Sequence, residues 1–327
     1  MMKPLKLVVC GVGHVGSYVL ADAMKMNLFG EIAVIDILEN VAYGEALDQH
    51  HATGALTFGA THVHPGSAED YSDADVVIIA AGPSMIPDPE NPGAKPDRAI
   101  LSKVNSGHIR QIMGDISSHT QSAAVIIITN PVDTLVWIAQ NEFNYPEQLI
   151  WGTGTSLDSA RLRRVVADRV GVAPAAVHGF MFGEHGSGAF PVLSHLTVAG
   201  IPAAKVPEAY PGAPALDAAE LQTTVVDAAY EVFNGKGWTN AGVAQAALAM
   251  ARSFVLDERG VFPSSGTLRG EYGFDGDAAL SRPCIIGRNG IEAVVPYDLN
   301  DWEMEELRKA VAAIQRAMRD AGCKFGE

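Results

Sequence analysis

The stretch Leu5-Lys6-Leu7-Val8-Val9-Cys10-Gly11-Val12-Gly13-His14-Val15-Gly16 decides the fold. Leu5–Cys10 is almost wholly apolar, which reads as a parallel strand covered on both faces; a strand wet on one side would alternate. The glycines then form a tight turn that opens a helix over 14–27. Ile32–Asp36 is a second strand, and Asp36 stands twenty residues after Gly16. Strand, G-x-G-x-x-G turn, helix, strand and terminal acid together form a dinucleotide fingerprint. Gly11, Gly13 and Gly16, with Val15 in the same turn, bring the backbone close to a pyrophosphate at the positive end of the helix. Asp36 would accept hydrogen bonds from the adenosine ribose and repel a 2′-phosphate, so NAD is expected rather than NADP.

Outward from this turn the alternation continues. Asp75–Ala80 and Ala124–Thr129 are further apolar strands, with helical patterns over Val41–Ala52, Arg98–Ile116 and Val132–Asn141. The alternation predicts an α/β fold with a Rossmann-type, doubly wound parallel sheet. A boundary near Trp151-Gly152-Thr153-Gly154 divides the chain into an NAD-binding domain, 1–151, and a second α+β domain, 152–327. The second part opens with a helix over Leu157–Val170, capped by Ser156, and continues with helices near Leu216–Phe233, Ala241–Leu256 and Asp301–Ala321. Pro207–Pro214 and Ser264–Gly276 read as loops from their glycine, proline and serine content.

Charge narrows the function. Lys and Arg number 23 against 38 Asp and Glu, a net charge of −15, so nucleic acid and anionic membrane surfaces are poor partners. An anionic small molecule must instead be held by a few placed arginines. Cys10, Cys284 and Cys323 are too scattered for a disulfide framework or a zinc site, and no metal is expected. The apolar run Ala123–Thr129 is far too short to span a bilayer, and Met1-Met2-Lys3-Pro4 carries no cleavable leader pattern. A cytoplasmic protein is expected.

Four polar groups stand out, each with an ordinary alternative. Asp158 and Arg161 share one helix face, as a surface ion pair would. Gly183-Glu184-His185-Gly186 places a histidine in a glycine-flanked turn, where a lone histidine is more often structural. Thr129-Asn130-Pro131-Val132-Asp133 follows a buried strand at the carboxyl end of the sheet, where doubly wound folds bind ligands; it also reads as a helix start, with Asn130 as cap and Pro131 as first residue. Gly82–Arg98, with its five prolines, is a long loop of the kind that is either a functional lid or disordered. His50-His51 and His62-x-His64 have no ligand partners at suitable spacing and read as surface or packing residues.

In order, these motifs resemble the NAD-dependent L-2-hydroxy acid dehydrogenases of the lactate/malate dehydrogenase family. The likeness includes Leu157-Asp158-Ser159-Ala160-Arg161, Ala228-Ala229-Tyr230-Glu231 and Lys236-Gly237-Trp238-Thr239, and it covers essentially the whole chain. It implies that Arg161 grips a substrate carboxylate bidentately, that His185 exchanges a proton with the substrate oxygen, and that Asp158 orients and charges that imidazole. It further implies that Arg98 polarises the carbonyl as the loop closes, that Asn130 contacts substrate or nicotinamide ribose, and that Thr239 lines the pocket. A homo-oligomer acting on a 2-oxo/2-hydroxy acid is implied as well.

The chain departs from the pattern in its long Gly82–Arg98 stretch, which resembles that of L-2-hydroxyisocaproate dehydrogenases. Met85 falls where lactate enzymes carry Gln and malate enzymes carry Arg. A thioether there leaves a second carboxylate unpaired and suits an apolar side chain. The expectation is therefore a 2-oxo acid with a medium or large apolar side chain, with pyruvate as the alternative. Arg163 and His178 match positions that bind fructose 1,6-bisphosphate in activated bacterial lactate dehydrogenases; they read here as a solvated helix residue and a strand-edge residue. An NAD-dependent glycosidase is disfavoured by Thr129 before Asn130, where a Cys ligand would be needed. A non-catalytic nucleotide binder would have no use for Arg98, Asp158, Arg161 and His185 together.

Overall fold

In the computed structural model, which describes residues 4–55, 59–83 and 98–325, the doubly wound sheet is present. The strands are β1 (Lys6–Cys10), β2 (Glu31–Ile35), β3 (His62–Pro65), β4 (Val76–Ile79), β5 (Ala124–Ile127) and β6 (Ile150–Gly152). They pair in parallel in the order β3-β2-β1-β4-β5-β6. Chain order reverses between β1 and β4, so a crevice opens at their carboxyl ends. The sequence reading lacked β3, whose His62-Val63-His64-Pro65 holds one buried residue. Such an edge strand carries no continuous apolar signal.

Why these strands are apolar throughout is plain from what covers them. Leu7, Val9, Ile32, Val34, Val76 and Ile78 face helices α1 (Gly16–Met26), α2 (Glu39–Ala52) and, from the far end of the chain, α8 (Ala241–Leu256). Val8, Cys10, Val77, Ile79, Val125 and Ile127 face α3 (Arg98–His119) and α4 (Val132–Asn141), and α9 (Asp301–Asp320) packs against those two helices. Each side chain of this size stabilises the fold by about 1.5–3 kcal/mol on burial. Ile78 is fully buried; Ile78→Ala should cost about 2–5 kcal/mol in urea unfolding.

The second half adds helices α5 (Ser156–Val170), α6 (Val206–Ala209) and α7 (Ala218–Lys236), and strands β7 (Val177–His178), β8 (Met181–Gly183), β9 (Ala189–Pro191), β10 (Thr197–Val198) and β11 (Ile201–Pro202). It also holds β12 (Gly260–Arg269), β13 (Asp275–Gly287) and β14 (Gly290–Val294). Ser265 of β12 pairs antiparallel with Gly152 of β6, so one sheet continues across the middle of the chain. A separate core forms around Leu162, Val177, Met181, Leu196, Leu221 and Val225.

Three expectations need correction. Ser264–Gly276 is not a loop: most of it forms the β12–β13 hairpin, and Ser264, Ser265 and Thr267 are buried. The buried Arg282 guanidinium of β13 donates to the carbonyls of Gly266 and Thr267 at 3.0 Å and pairs with Glu271. A Cβ at Gly266 would lie 2.8 Å from that guanidinium, so the residue that looks like a loop signal is what admits the arginine. Helix α6 likewise occupies the start of Pro207–Pro214, with Pro207 in its first turn. Finally, the caps move by one residue. Thr155, not Ser156, is the residue before α5, and Pro131, not Asn130, the residue before α4; neither caps its helix through its side chain, although Asn130 Oδ1 still accepts from the Val132 amide at 3.4 Å.

Candidate active site

Helix α5 begins where β6 ends, which delivers Asp158 and Arg161 to the carboxyl edge of the sheet. Its first turn is tied to β8: Thr155 Oγ1 donates to the Met181 carbonyl at 2.5 Å, and the Met181 amide donates to Ser159 Oγ at 2.8 Å. The chain then leaves β8 through Gly183 at φ +90°, where a Cβ would lie 2.5 Å from the Gly188 carbonyl oxygen. Only glycine fits that turn, and it carries His185 back over α5.

The result is a linear triad. His185 Nδ1 lies 2.7 Å from Asp158 Oδ2, and Arg161 Nη1 donates to Asp158 Oδ1 at 2.9 Å. Because a carboxylate accepts, Nδ1 carries the proton of that bond, and Nε2 is left for chemistry. Burial alone would push the Asp158 carboxyl up, but His185 and Arg161 outweigh it and hold it below the usual range. Burial would likewise lower the His185 imidazole; the Asp158 charge overrides it and the net shift is upward. An ion pair on one helix face, taken alone, reads first as an ordinary surface salt bridge. Here Asp158 is 6% exposed and Arg161 is 13% exposed.

Asp133 supports the triad from behind. Its Oδ2 accepts from the His185 amide at 2.8 Å, and its Oδ1 accepts from Ser265 Oγ at 2.5 Å. Burial raises this carboxyl to about 7, despite the Ser265 and His185 bonds that favour its anion. Asp133 belongs to the Thr129–Asp133 motif, but Ser265 lies too far along the chain for spacing to reveal the pair. Since the folded state holds this proton far above the ordinary carboxylate range, Asp133 stabilises the fold most below pH 4 and progressively less towards pH 7. Asp133→Asn, which keeps a donor and an acceptor, should flatten the fall in Tm over that interval in pH-series calorimetry.

One cavity of about 500 Å³ is lined by His14, Asn130, Asp158, Arg161, His185 and Thr239, among others. The structure thus brings together five of the residues singled out for substrate chemistry. Arg98 opens α3, but its side chain, like Met85 and the rest of 84–97, lies outside the described residues. Arg163 is half-buried, burial lowers its guanidinium pKa, and no carboxylate partner is found among the described residues; His178 is exposed on β7.

The fingerprint turn fits a dinucleotide. Helix α1 starts without a side-chain cap, leaving its first amides suited to an anion. A Cβ on Gly13 would meet nothing within 4 Å, whereas one on Gly16 would lie 1.8 Å from the Gly11 carbonyl oxygen. Gly13 is thus open to a ligand, whereas Gly16 must remain glycine for the turn to close on the Gly11 carbonyl. Asp36 braces the turn, accepting from the amides of Val12 and Leu38 at 2.9 Å. With Gly11 and Gly13 it lines a second cavity of about 340 Å³. Among the described residues, Glu31, His64 and Asp70 form the one group spaced for a metal. The Lys6 ammonium already sits among Glu31, Asp70 and Asp73 at 2.8 Å from each. No described helix is long and apolar enough to cross a membrane.

Comparison with known proteins agrees with this geometry. Residues 5–152 match the lactate/malate dehydrogenase NAD binding domain, and residues 155–324 match the lactate/malate dehydrogenase alpha/beta C-terminal domain. The chain is 40% identical over 305 residues to L-lactate dehydrogenase 2 of Clostridium acetobutylicum, covering 93% of each. It is 38% identical over 319 residues to L-lactate dehydrogenase of Selenomonas ruminantium, covering 98% of each. Among solved structures, a lactate dehydrogenase from a Medee basin deep-sea metagenome library superposes with a TM-score of 0.90 at 27% identity, covering 98% of this chain and 100% of that one. Malate dehydrogenase of Cryptosporidium parvum gives 0.88 at 28% identity, covering 98% of this chain and 99% of the other. The chain therefore belongs to the lactate/malate dehydrogenase family and is an NAD-dependent 2-hydroxy acid dehydrogenase.

Proposed function

We propose that the chain interconverts pyruvate and L-lactate with NADH and NAD. The observation that carries the reading is the convergence of Arg161 and His185 on the two oxygens of Asp158, within one cavity beside the fingerprint turn. Relatives named L-lactate dehydrogenase favour pyruvate. The expectation of a larger apolar acid finds no support among them. It leaned on Met85 and the long stretch before Arg98, which lie outside the described residues apart from Pro83.

Each residue's role follows from its chemistry. Arg161 holds the substrate carboxylate with the N–H groups that Asp158 leaves. His185 Nε2 donates its proton to the carbonyl oxygen, and Asp158 stabilises the imidazolium from the other side. Asn130 and Thr239 close the pocket around the reacting carbon, and Arg98 supplies a further positive group to the developing alkoxide. Gly11, Gly13, Val15, Gly16 and Asp36 hold the dinucleotide, whose reduced nicotinamide supplies the hydride. On this reading residues 1–151 serve the cofactor and 152–327 the substrate, in a cytoplasmic homo-oligomer whose mass light scattering would report.

The test is a panel of pyruvate, oxaloacetate, 2-oxoisocaproate and phenylpyruvate with NADH and NADPH. Pyruvate with NADH should give the highest kcat/KM, and oxaloacetate or a bulky acid in first place would overturn the substrate assignment. Asp36→Ser should narrow the NADH preference over NADPH by about tenfold, because the charge facing a 2′-phosphate is gone. An unchanged ratio would remove Asp36 from the cofactor site.

A further inference from the structure

The four residues that join α7 to α8, Gly237 to Asn240, carry part of the pocket but little of its support. Helix α7 ends at Lys236, and Gly237 turns the chain at φ +85°. Trp238 and Thr239 follow in neither helix, and Asn240 caps α8 by accepting from the Ala241 amide. Both Trp238 and Thr239 line the large cavity. A segment without helical hydrogen bonds must be held by something else if its side chains are to shape a pocket.

What holds it is the fingerprint turn. The imidazole of His14 lies flat on the Trp238 indole, with ring centroids 3.8 Å apart and an interplanar angle of 4°. The Asn240 amide nitrogen donates to the His14 carbonyl at 3.3 Å, and Lys236 Nζ donates to Asn240 Oδ1 at 2.6 Å. His14 is the first variable residue after the second glycine of the fingerprint. The same residue thus anchors the joint twice, through its ring and through its backbone. Val226, Ala229, Tyr230 and Phe233 of α7 line the same cavity, so a fixed indole at its wall would limit how long a substrate side chain can be.

We propose that Trp238, locked by stacking on His14, is a specificity-determining wall of the substrate pocket, and that His14 acts as its positioning residue. The inference deepens the pyruvate reading and rests on it: a clamped indole keeps the pocket short. Released from His14, the indole swings within its four-residue joint and the pocket lengthens without any loss of side-chain volume.

The experiment is a double-mutant cycle read as the kcat/KM ratio of pyruvate to 2-oxoisocaproate, with NADH affinity followed by fluorescence titration. Trp238→Ala should lower the ratio by about tenfold or more, the scale of a vacated apolar subsite. His14→Ala should lower it by about threefold to tenfold, the worth of an aromatic stack. His14→Phe, which keeps a flat ring, should restore the ratio to within about twofold. In the Trp238→Ala background, His14→Ala should change the ratio no further. The proposal falls if His14→Ala leaves the ratio unchanged while only NADH affinity drops, or if the two effects simply multiply. It falls equally if His14→Phe behaves like His14→Ala. A wild-type enzyme that reduces neither acid would sink the pyruvate reading itself; an active enzyme with an unmoved ratio sinks the wall alone.

Discussion

Replacing His185 with alanine should lower kcat for both reduction and oxidation by about a thousandfold or more, while NADH affinity stays within about twofold of wild type. The imidazole lines the cavity and is bonded through Nδ1 to the buried Asp158 carboxylate, which leaves its Nε2 for proton exchange. Stopped-flow absorbance would follow turnover and fluorescence titration the cofactor. Retained turnover would remove the proton-transfer role. The wild-type pH profile checks the same assignment. Reduction needs the protonated imidazole and must decline as pH rises through its pKa, whereas oxidation needs the neutral form and must increase. Because Asp158 raises that pKa, reduction should persist to higher pH than a free imidazole allows. Asp158→Asn should move the decline to lower pH, and an unmoved profile would detach Asp158 from the proton.

Arg161→Lys should cost about a hundredfold in kcat/KM for the 2-oxo acid, with the loss falling mainly in KM. Arg161 already spends Nη1 on Asp158. A lysine has one compact ammonium to serve both that carboxylate and the substrate's, and it cannot reproduce the planar two-point grip. Losing one charge-assisted hydrogen bond of this kind is worth about 1.5–3 kcal/mol, which brackets the expected factor. Steady-state kinetics across substrate concentration would check it. If KM were unchanged and kcat alone fell, the guanidinium would be acting on the proton chemistry through Asp158 rather than on substrate binding.

Sequence alone determined the parts of this protein that are local. The apolar strands, the glycine fingerprint and the acid at position 36 follow from periodicity, backbone freedom and spacing within fifty residues. They fixed the doubly wound sheet and the nucleotide cofactor. The residues of the site were legible as types, since Asp158, Arg161 and His185 stand in recognisable motifs, but their roles came by resemblance.

Tertiary structure decided what depends on distant segments meeting. Ser264–Gly276 reads as a loop until the Arg282 guanidinium arrives from the opposite strand to satisfy its carbonyls. The salt bridge between Asp158 and Arg161 is ordinary until His185 closes over it. Neither the Ser265–Asp133–His185 chain nor the His14–Trp238 stack has any signature in composition or spacing. A buried polar contact of this kind is set by where two backbones cross, and that crossing is fixed by the packing of whole layers rather than by the neighbours of either residue.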